Sequence, residues 1–456
     1  MSTNVVLTSI DGEENTFSLR IRYESKVLNS HLPLVRMAFC VPLLNYGLFS
    51  HKFDIGFPLS TSDLRLLNDL NAVFSRDIFV NKVLKRRANY ILPKFLPNEE
   101  KTRPGDATPK ATIEPVRVTK DMPLGQELRS NSCGILSSGG KESLLTYGLM
   151  EEIGAEVHPL YVNESGGHWR TAIPAYRYHQ TTDQYTMRVW TNIDRFYNFM
   201  LDHLHFIRSD HRNTRADTYP LRLCIFPFYV FALLPIFVDW KIGNLLIGSE
   251  FDDLKVRPIY RGIVHYFGVY DQHQDFDVRM KEWYDTRVPG LNQWSAVRSI
   301  SGLVVERILM KRYPHLARVQ RSCHSCHLEA GEVIPCGKCS KCLGILLFLL
   351  ANKADPKIIN YQEKAIKSFT TNVASSGLRL DQDEKDQSFY LFYDGASNQG
   401  VRPVDHVEKI HVNETTCNPT MIPLQFRESL MTIIEQYAKG YCTLDRGVWK
   451  PIESST

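Results

Sequence analysis

The sequence lacks the features of a secreted or membrane-embedded chain. Residues 1–12 are polar and show no basic segment followed by an apolar one, so no signal peptide is predicted. The longest uncharged run, 223–238, is slightly short for a membrane span and contains Pro227 and Pro235, which favours a buried helix. The net charge of +4 is too small for 456 residues to indicate nucleic acid or a membrane surface by itself. We therefore expect a cytoplasmic protein without a membrane partner.

Cysteine is sparse along most of the chain and concentrated in one segment. Five of the ten cysteines are scattered, and the other five lie between Cys323 and Cys342. No secretion signal accompanies them. This distribution predicts reduced thiols and one metal-binding cluster, and it argues against a disulfide framework.

Changes in composition divide the chain into four parts. We predict a small α+β domain over residues 1–96, because a strand-like alternation is followed by a stretch with helical spacing. Prolines punctuate a polar segment, 97–132, which reads as a linker. An α/β pattern covers 133–352, and 353–456 forms a C-terminal extension to which no chemistry can be assigned.

The α/β pattern begins with a strand, a tight loop, a helix and a second strand. We predict a strand over 133–137, a helix over 141–153 and a strand over 156–162, followed later by a strand over 244–248. A strand–helix–strand unit of this kind predicts a parallel sheet.

The loop between the first strand and its helix has the composition of a phosphate-binding site. Two glycines allow close approach of an anion, the serines supply hydroxyl donors, and the helix directs its positive end at the loop. It matches neither Gly-x-x-x-x-Gly-Lys-Ser/Thr nor Gly-x-Gly-x-x-Gly. The predicted nucleotide-binding residues are Ser137, Ser138, Gly139, Gly140, Lys141 and Ser143.

Residues 138–143 resemble the Ser-Gly-Gly-x-Asp-Ser loop of the PP-loop ATP pyrophosphatases. The one departure is Glu142, which stands where that family usually has aspartate and reaches further. The resemblance implies a HUP-like parallel sheet with helices on both faces. It also implies cleavage of ATP between the α and β phosphates, with magnesium, to adenylate a substrate oxygen. Lys141 and Glu142 would then be catalytic.

The cysteine segment has the spacing of a zinc knuckle. Cys336, Cys339 and Cys342 form two overlapping Cys-x-x-Cys pairs, and a tetrahedral zinc site needs one more ligand. Either Cys323 or Cys326 could supply it. We predict a structural zinc module over residues 323–342, because four protein ligands leave no open position on the metal.

The loop and the cysteine module together resemble two branches of the PP-loop superfamily. The 7-cyano-7-deazaguanine synthases have this layout and a Pro-x-Arg-Asn-x-x-Phe segment that resembles 220–226, where Leu223 departs from the asparagine. The UDP-N-acetylmuramoyl-L-alanyl-L-glutamate epimerases have a preceding domain and a Cys-Gly-x-Cys-x-Lys-Cys module that resembles 336–342. The resemblance covers residues 133–350 and does not identify the substrate.

Three further positions complete the predicted site. Arg222 could hold a substrate or phosphate anion through two parallel hydrogen bonds and is assigned a catalytic role. Glu250 and Asp253 follow a predicted strand and could bind magnesium or act as acid or base. Structural alternatives, an ion pair for Arg222 and a solvated acidic loop for Glu250 and Asp253, are equally compatible with the sequence.

We expect an adenylating enzyme that acts on a carboxylate or carbonyl oxygen of a small metabolite, as an epimerase-like or nitrile-synthase-like enzyme would. Two alternatives remain open. The substrate could be tRNA or a protein terminus, or the chain could be a zinc-stabilised binding module without catalytic activity. The expected ligands of the first hypothesis are ATP, Mg²⁺ and Zn²⁺, and release of AMP would separate it from the binding module.

Overall fold

A seven-stranded sheet with helices on both faces forms the centre of the protein. The computed structural model describes residues 1–9, 11–24, 29–85, 90–125, 127–213, 221–251, 258–395 and 401–452. The strands are β1 (Ser2–Thr8), β2 (Glu14–Tyr23), β3 (Lys52–Ile55), β4 (Leu59–Ser60), β5 (Thr112–Pro115), β6 (Val118–Thr119), β7 (Arg129–Ser137), β8 (Glu156–Asn163), β9 (Met187–Thr191), β10 (Ile242–Ile247), β11 (Ile259–Tyr260), β12 (Ile263–Val264), β13 (Asn292–Trp294), β14 (His327–Glu329), β15 (Glu332–Ile334), β16 (Ile410–Val412), β17 (Tyr441–Asp445) and β18 (Val448–Ile452).

The helices contribute more residues than the strands. They are α1 (Leu32–Cys40), α2 (Thr61–Ile78), α3 (Lys141–Glu152), α4 (Gly167–Thr182), α5 (Ile193–His203), α6 (Phe226–Asp239), α7 (Gln274–Arg287), α8 (Gly302–Arg312), α9 (Pro314–Ala317), α10 (Ser340–Ala351), α11 (Glu363–Lys367), α12 (Phe369–Ser376), α13 (Gln382–Phe392) and α14 (Leu424–Glu435). Every helix in the described ranges is too short or too polar to cross a membrane. The apolar run at 223–238 forms α6, whose interior residues are buried, as predicted.

The central sheet is mostly parallel. Its strands lie in the order β1-β2-β9-β8-β7-β10-β13, and the five from β9 to β13 run parallel to one another. Numbered along the chain from β7, those five have the order 3-2-1-4-5. The direction of winding therefore reverses at β7, and ligands bind beyond the carboxyl ends of the strands at such a point. The predicted parallel sheet is confirmed.

Two hydrophobic cores lie on opposite faces of this sheet. Successive residues of β10 alternate between them, since Leu245 and Ile247 belong to the core that contains α1 and α6, whereas Leu246 belongs to the core that contains α3, α8 and α14. Gly134 on β7 gives α6 room, because a Cβ at this position would lie 2.4 Å from the ring of Phe237. Burial on both faces explains the continuous apolar character of the central strands.

The N-terminal residues are part of the same body. β2 pairs antiparallel with β9 and extends the central sheet, and α1 packs on α6. α2 begins with a capping box in which Ser60 and Asp63 bond each other's backbone N–H groups. The predicted 97–132 linker pairs through β5 and β6 with β3 and β4. A separate N-terminal domain over 1–96 is therefore not confirmed, because its residues share a sheet and a core with the α/β region.

The C-terminal extension packs on the cysteine module and on α8. α12 and α13 contact α10, and β16, β17 and β18 form a small sheet. A buried ion pair ties the extension to the α/β region, because Arg307 on α8 donates to Glu408, which also accepts a 2.7 Å hydrogen bond from Lys439. The extension therefore stands close to the carboxyl edge of the sheet.

Candidate functional site

A cavity of about 670 Å³ lies at the carboxyl edge of the sheet. It opens beside the ends of β7, β8 and β10, where the strand order reverses. The loop 137–143, the start of α10 and the cysteine module all contribute to its wall. Its volume falls within the range of about 300–1,000 Å³ that is usual for small-molecule sites.

The loop after β7 brings its backbone close to the cavity. Gly139 has φ of +73°, and a Cβ there would lie 3.2 Å from the Cα of Ala172 on α4. Gly140 caps α3, so the first turn of that helix points into the cavity. Ser138 and Ser143 stabilise the turn, because the Ser138 N–H donates to Ser143 Oγ at 3.4 Å and the Gly140 N–H donates to Ser138 Oγ at 3.4 Å. The predicted glycine-bearing turn is therefore present beside the cavity, and its binding of an anion stays a prediction.

Lys141 lies between two carboxylates at this end of the cavity, and we call Lys141, Glu142 and Glu250 the lysine cluster. The ammonium donates to Glu142 and, at 2.5 Å, to Glu250 Oε2, which comes from the segment after β10. Lys141 is only 3% exposed, and its Nζ lies 5.7 Å from the centre of the Phe348 ring. The structure therefore brings Glu250 to the adjacent pair Lys141 and Glu142, although Glu250 is 109 residues from Lys141 in the sequence.

The lysine cluster contains more carboxylate than its one ammonium neutralises. Burial would lower the pKa of Lys141, but the charges of Glu142 and Glu250 outweigh it and raise that pKa. Burial opposes ionisation of Glu142, yet the neighbouring ammonium holds its pKa below the usual range. Burial, with the negative charges of Glu142 and Glu384, raises the pKa of Glu250 well above its usual value. An additional cation at this end would relieve the excess.

A second ion cluster lies at the other end of the cavity, and we call Glu164, Asp194 and Arg222 the arginine cluster. Arg222, 5% exposed, donates to Asp194 Oδ1 at 3.1 Å, and its guanidinium lies 4.7 Å from the centre of the Tyr197 ring. Arg222 and Glu164 line the cavity. Arg222 is therefore at the site, as predicted, but one of its donors is already engaged by Asp194.

Two titratable side chains near the start of α4 have strongly perturbed pKa values. Burial raises the pKa of Glu164 to about 8, an effect that Asp194 strengthens and Arg222 partly offsets. Burial and the charges of Lys341 and Arg222 lower the pKa of His168 to about 4. At neutral pH the Glu164 carboxyl is therefore mostly protonated, and the His168 ring is neutral.

The cysteine module brings four thiols into one cluster. Cys323, Cys336, Cys339 and Cys342 place their sulfur atoms within 4.8 Å of one another, which suits them to hold a metal ion such as zinc. Of the two candidates for the fourth ligand, Cys323 is in the cluster. Cys326 lies outside it, so the structure favours Cys323 between the two alternatives that the sequence left open.

Backbone N–H groups donate to three of the four sulfurs, those of Cys323, Cys336 and Cys339. The N–H groups of Ser325 and Cys336 donate to Cys323 Sγ at 3.2 and 3.3 Å, and the Cys342 N–H donates to Cys339 Sγ at 3.4 Å. Cys339 also caps α10, whose positive end lies at the cluster. These donors favour thiolates, the form in which cysteine binds metal.

The two residues that precede the cysteine module contact the loop 137–143. The Arg321 N–H donates to the Gly139 carbonyl at 3.0 Å, and a Cβ at Gly140 would lie 3.8 Å from Ser322 Oγ. Both Ser322 and Lys341 line the cavity. A metal that fixes this module therefore also fixes one wall of the site.

The C-terminal extension contributes residues that sequence motifs could not identify. Arg379 and Leu380 line the cavity, and Glu384 accepts a 3.2 Å hydrogen bond from the N–H of Leu303 at the start of α8. Glu164 and Asp194 were also missed. The sequence held one indication of Glu164, because this residue follows β8, the strand next to β7. Polar residues that follow neighbouring parallel strands meet at one edge of the sheet.

The predicted site residue Asp253 lies outside the described residues. The basic and aromatic residues of α4 are divided between surface and core. Arg170 and Arg177 are exposed, whereas Tyr176 and His179 are buried, and His179 Nδ1 lies 2.7 Å from the hydroxyl of Tyr161. Their periodicity reflects packing of α4 on the sheet.

No match to this chain was found among protein-family models, curated proteins or solved structures.

Proposed function

We propose that this protein cleaves ATP to AMP and pyrophosphate and adenylates a carboxylate or carbonyl oxygen of a small substrate. The observation that carries this proposal is the position of loop 137–143. It lies at the reversal point of a parallel sheet and presents backbone donors and Lys141 to an enclosed cavity. Its resemblance to the PP-loop ATP pyrophosphatases supports the same reading, and a HUP-like fold would give its parallel strands this 3-2-1-4-5 order.

The lysine cluster gives a physical basis for binding magnesium together with ATP. In this structure the Lys141 ammonium lies between Glu142 and Glu250, where a magnesium ion would be held. Their carboxylate oxygens are ligands that Mg²⁺ prefers, and the excess negative charge favours a divalent ion. Bound magnesium would neutralise negative charge on the departing pyrophosphate. Lys141 would then be released to contact the phosphates as a point charge.

The chain's own residues would perform three tasks in this reaction. Backbone N–H groups of the loop and the start of α3 hold the phosphates and stabilise the charge that develops on pyrophosphate. The apolar wall from α6, which includes Ile225, Phe226 and Leu233, excludes water from the attacking oxygen. The arginine cluster holds the substrate at the opposite end.

We also propose that the metal of the cysteine module is zinc and that its role is structural. Four cysteine ligands complete a tetrahedral shell and leave no position for substrate. The module therefore contributes to the reaction through the contact between Arg321 and Gly139.

The size of the cavity favours a small metabolite over tRNA or a protein terminus. Its volume of about 670 Å³ suits a nucleotide with a compact substrate. The outcome after adenylation, whether ligation, nitrile formation or epimerisation, would be set by the residues at the arginine cluster.

The proposal is tested by following α-labelled ATP with the purified full-length protein, magnesium and a low-molecular-weight metabolite extract. We expect AMP and pyrophosphate in equal amounts. Ser138→Ala should reduce their formation by about tenfold or more, because it removes a donor that stabilises transition-state charge. Ser130→Ala, the same change at the exposed amino end of β7, is the matched control. Release of ADP and phosphate, or no ATP cleavage with the extract, would contradict the proposal.

A further inference from the structure

Glu164 is a buried carboxyl group that the adenylation step does not use. It follows directly after β8, next to the strand that carries the nucleotide loop, and its side chain lines the same cavity. It is only 5% exposed, and its Oε2 atom makes no hydrogen bond within the described residues. A buried polar atom of this kind costs stability unless a ligand or a function accounts for it.

The charges around Glu164 leave it as the group that gains and loses a proton. Asp194 and Arg222 form an ion pair at 3.1 Å. Burial and Asp194 raise the pKa of Glu164, and the charges of Arg222 and of Lys341, at the start of α10, lower it. Because Asp194 already neutralises much of the Arg222 charge, Glu164 exchanges its proton near physiological pH. That property suits an acid–base catalyst.

We propose that Glu164 is the general base of the step that follows adenylation. This inference rests on the proposed function. Forming an acyl adenylate from a carboxylate and ATP releases pyrophosphate and requires no proton transfer. The next step does require one. When an N–H or O–H nucleophile attacks the adenylated carbon, the new bond forms, the bond to AMP breaks, and the nucleophile's proton passes to the ionised Glu164 carboxylate. Glu164 then returns the proton to solvent.

The cavity places Glu164 where such a proton would be released. The phosphates would lie near Lys141, and Glu164 lines the same cavity together with Arg222 and the apolar residues of α6. An acyl group attached to the α phosphate would extend from the loop toward Glu164. The base must be ionised, so the rate of AMP release should rise with pH and level off above about pH 8.

The test measures pyrophosphate and AMP separately with the metabolite extract and MgATP. Wild-type protein should release both continuously, with an ascending pH limb between about pH 7 and 9. Glu164→Gln should release about one pyrophosphate per site and then stall, with AMP release reduced by about 100-fold or more and the pH limb lost. Glu164→Asp should keep the pH limb at a lower rate.

A matched control removes another buried carboxyl with a raised pKa. Burial raises the pKa of Glu306 on α8 to about 7, and Glu306 accepts a 3.0 Å hydrogen bond from Gln320 but does not line the cavity. Glu306→Gln should keep AMP and pyrophosphate equal. Zinc content and thermal unfolding show whether each variant is folded. The pH profile of the wild-type protein tests the proposal even if a variant fails to fold.

The outcomes separate the two proposals. If wild-type protein forms AMP and pyrophosphate but Glu164→Gln releases AMP at an unchanged rate and pH dependence, Glu164 is not the base and the proposed function stands. If the rate of AMP release by wild-type protein does not change between pH 7 and 9, Glu164 is likewise not the base, and the proposed function stands. If wild-type protein forms no pyrophosphate with the extract, the proposed function fails, and the role of Glu164 fails with it.

Discussion

The two ends of the cavity hold the same kinds of groups in different electrostatic states. Each cluster has one cation and two carboxyl groups, and both cations are almost completely buried. In the lysine cluster, both carboxylates contact the ammonium directly. In the arginine cluster, Arg222 donates to Asp194, and Glu164 keeps an oxygen atom without a hydrogen bond.

This difference shows how geometry, more than charge count, sets the protonation state. Contact with Lys141 holds the pKa of Glu142 low, whereas burial beside Asp194 raises the pKa of Glu164 to about 8. The lysine cluster therefore holds one carboxylate ionised, that of Glu142, beside Glu250, whose pKa burial raises well above its usual value. The other end is prepared to exchange a proton. Three measurements test this contrast.

Loss of the metal should have the largest effect, because the cysteine module borders both ends of the cavity. Cys339→Ser should abolish zinc binding and lower the free energy of unfolding by about 5 kcal/mol or more, since metal binding contributes directly to folding of such modules. Metal analysis and chemical denaturation measure both effects. Cys326→Ser, which changes a buried thiol outside the cluster, should retain the metal. Loss of metal in both variants would contradict the four-cysteine assignment.

Removing each cation should reveal the asymmetry between the clusters. Lys141→Met should cost about 3–5 kcal/mol at pH 7, because it leaves buried carboxylates without their counter-ion. Arg222→Met should cost only about 2 kcal/mol, because the adjacent Glu164 already carries a proton and the remaining Asp194 charge is less crowded.

Urea denaturation of the two variants at the same pH gives the comparison. An equal or larger loss for Arg222→Met would mean that Glu164 is ionised in the native protein, and the contrast between the clusters would be wrong.

The third measurement is a pH-dependent stability difference for Glu164→Gln. The folded pKa of about 8 exceeds the ordinary glutamate value, so folding favours the protonated form. The contribution of Glu164 to the free energy of unfolding of the wild-type protein is fully present below about pH 4.5. It is lost as the pH rises to about 8. Glutamine carries no such penalty. The variant should therefore gain about 2–4 kcal/mol relative to wild type between pH 4.5 and 8.

Thermal or urea unfolding at pH 5, 7 and 8.5 measures this difference. Glu142→Gln provides the opposite sign, because its folded pKa is lowered and its ionised form stabilises the protein at neutral pH. A constant difference between Glu164→Gln and wild type across this range would show that Glu164 titrates normally.

Several features could be predicted from local sequence because local interactions determine them. The pattern at 133–153 predicts a strand, a glycine-bearing turn and a helix. The structure contains them as β7, the loop after it and α3. The spacing of Cys336, Cys339 and Cys342 brings three sulfurs together within one short turn and the start of α10. In both segments the interacting residues are close along the chain, so spacing constrains geometry.

Other features depended on contacts between distant segments. β2, from the region predicted as an N-terminal domain, pairs with β9 of the central sheet. The sequence could not predict this pairing, because a strand-like alternation does not specify which strand is its partner. The choice of Cys323 over Cys326 was decided by where the β14–β15 hairpin turns. Arg379 and Glu384 reached the site because α13 packs on α10, and no motif marks that contact.

By itself, the sequence determined that a glycine-bearing loop between β7 and α3 and a cluster of thiols suited to a metal ion would form, because each is specified mainly by residues within a few positions of one another. Only the tertiary structure decided that they would share one cavity, through the hydrogen bond from Arg321 to Gly139. It also decided that the cavity would end in two unlike ion clusters. Protonation depends on burial and on charges from distant segments, and these quantities exist only once the chain has folded.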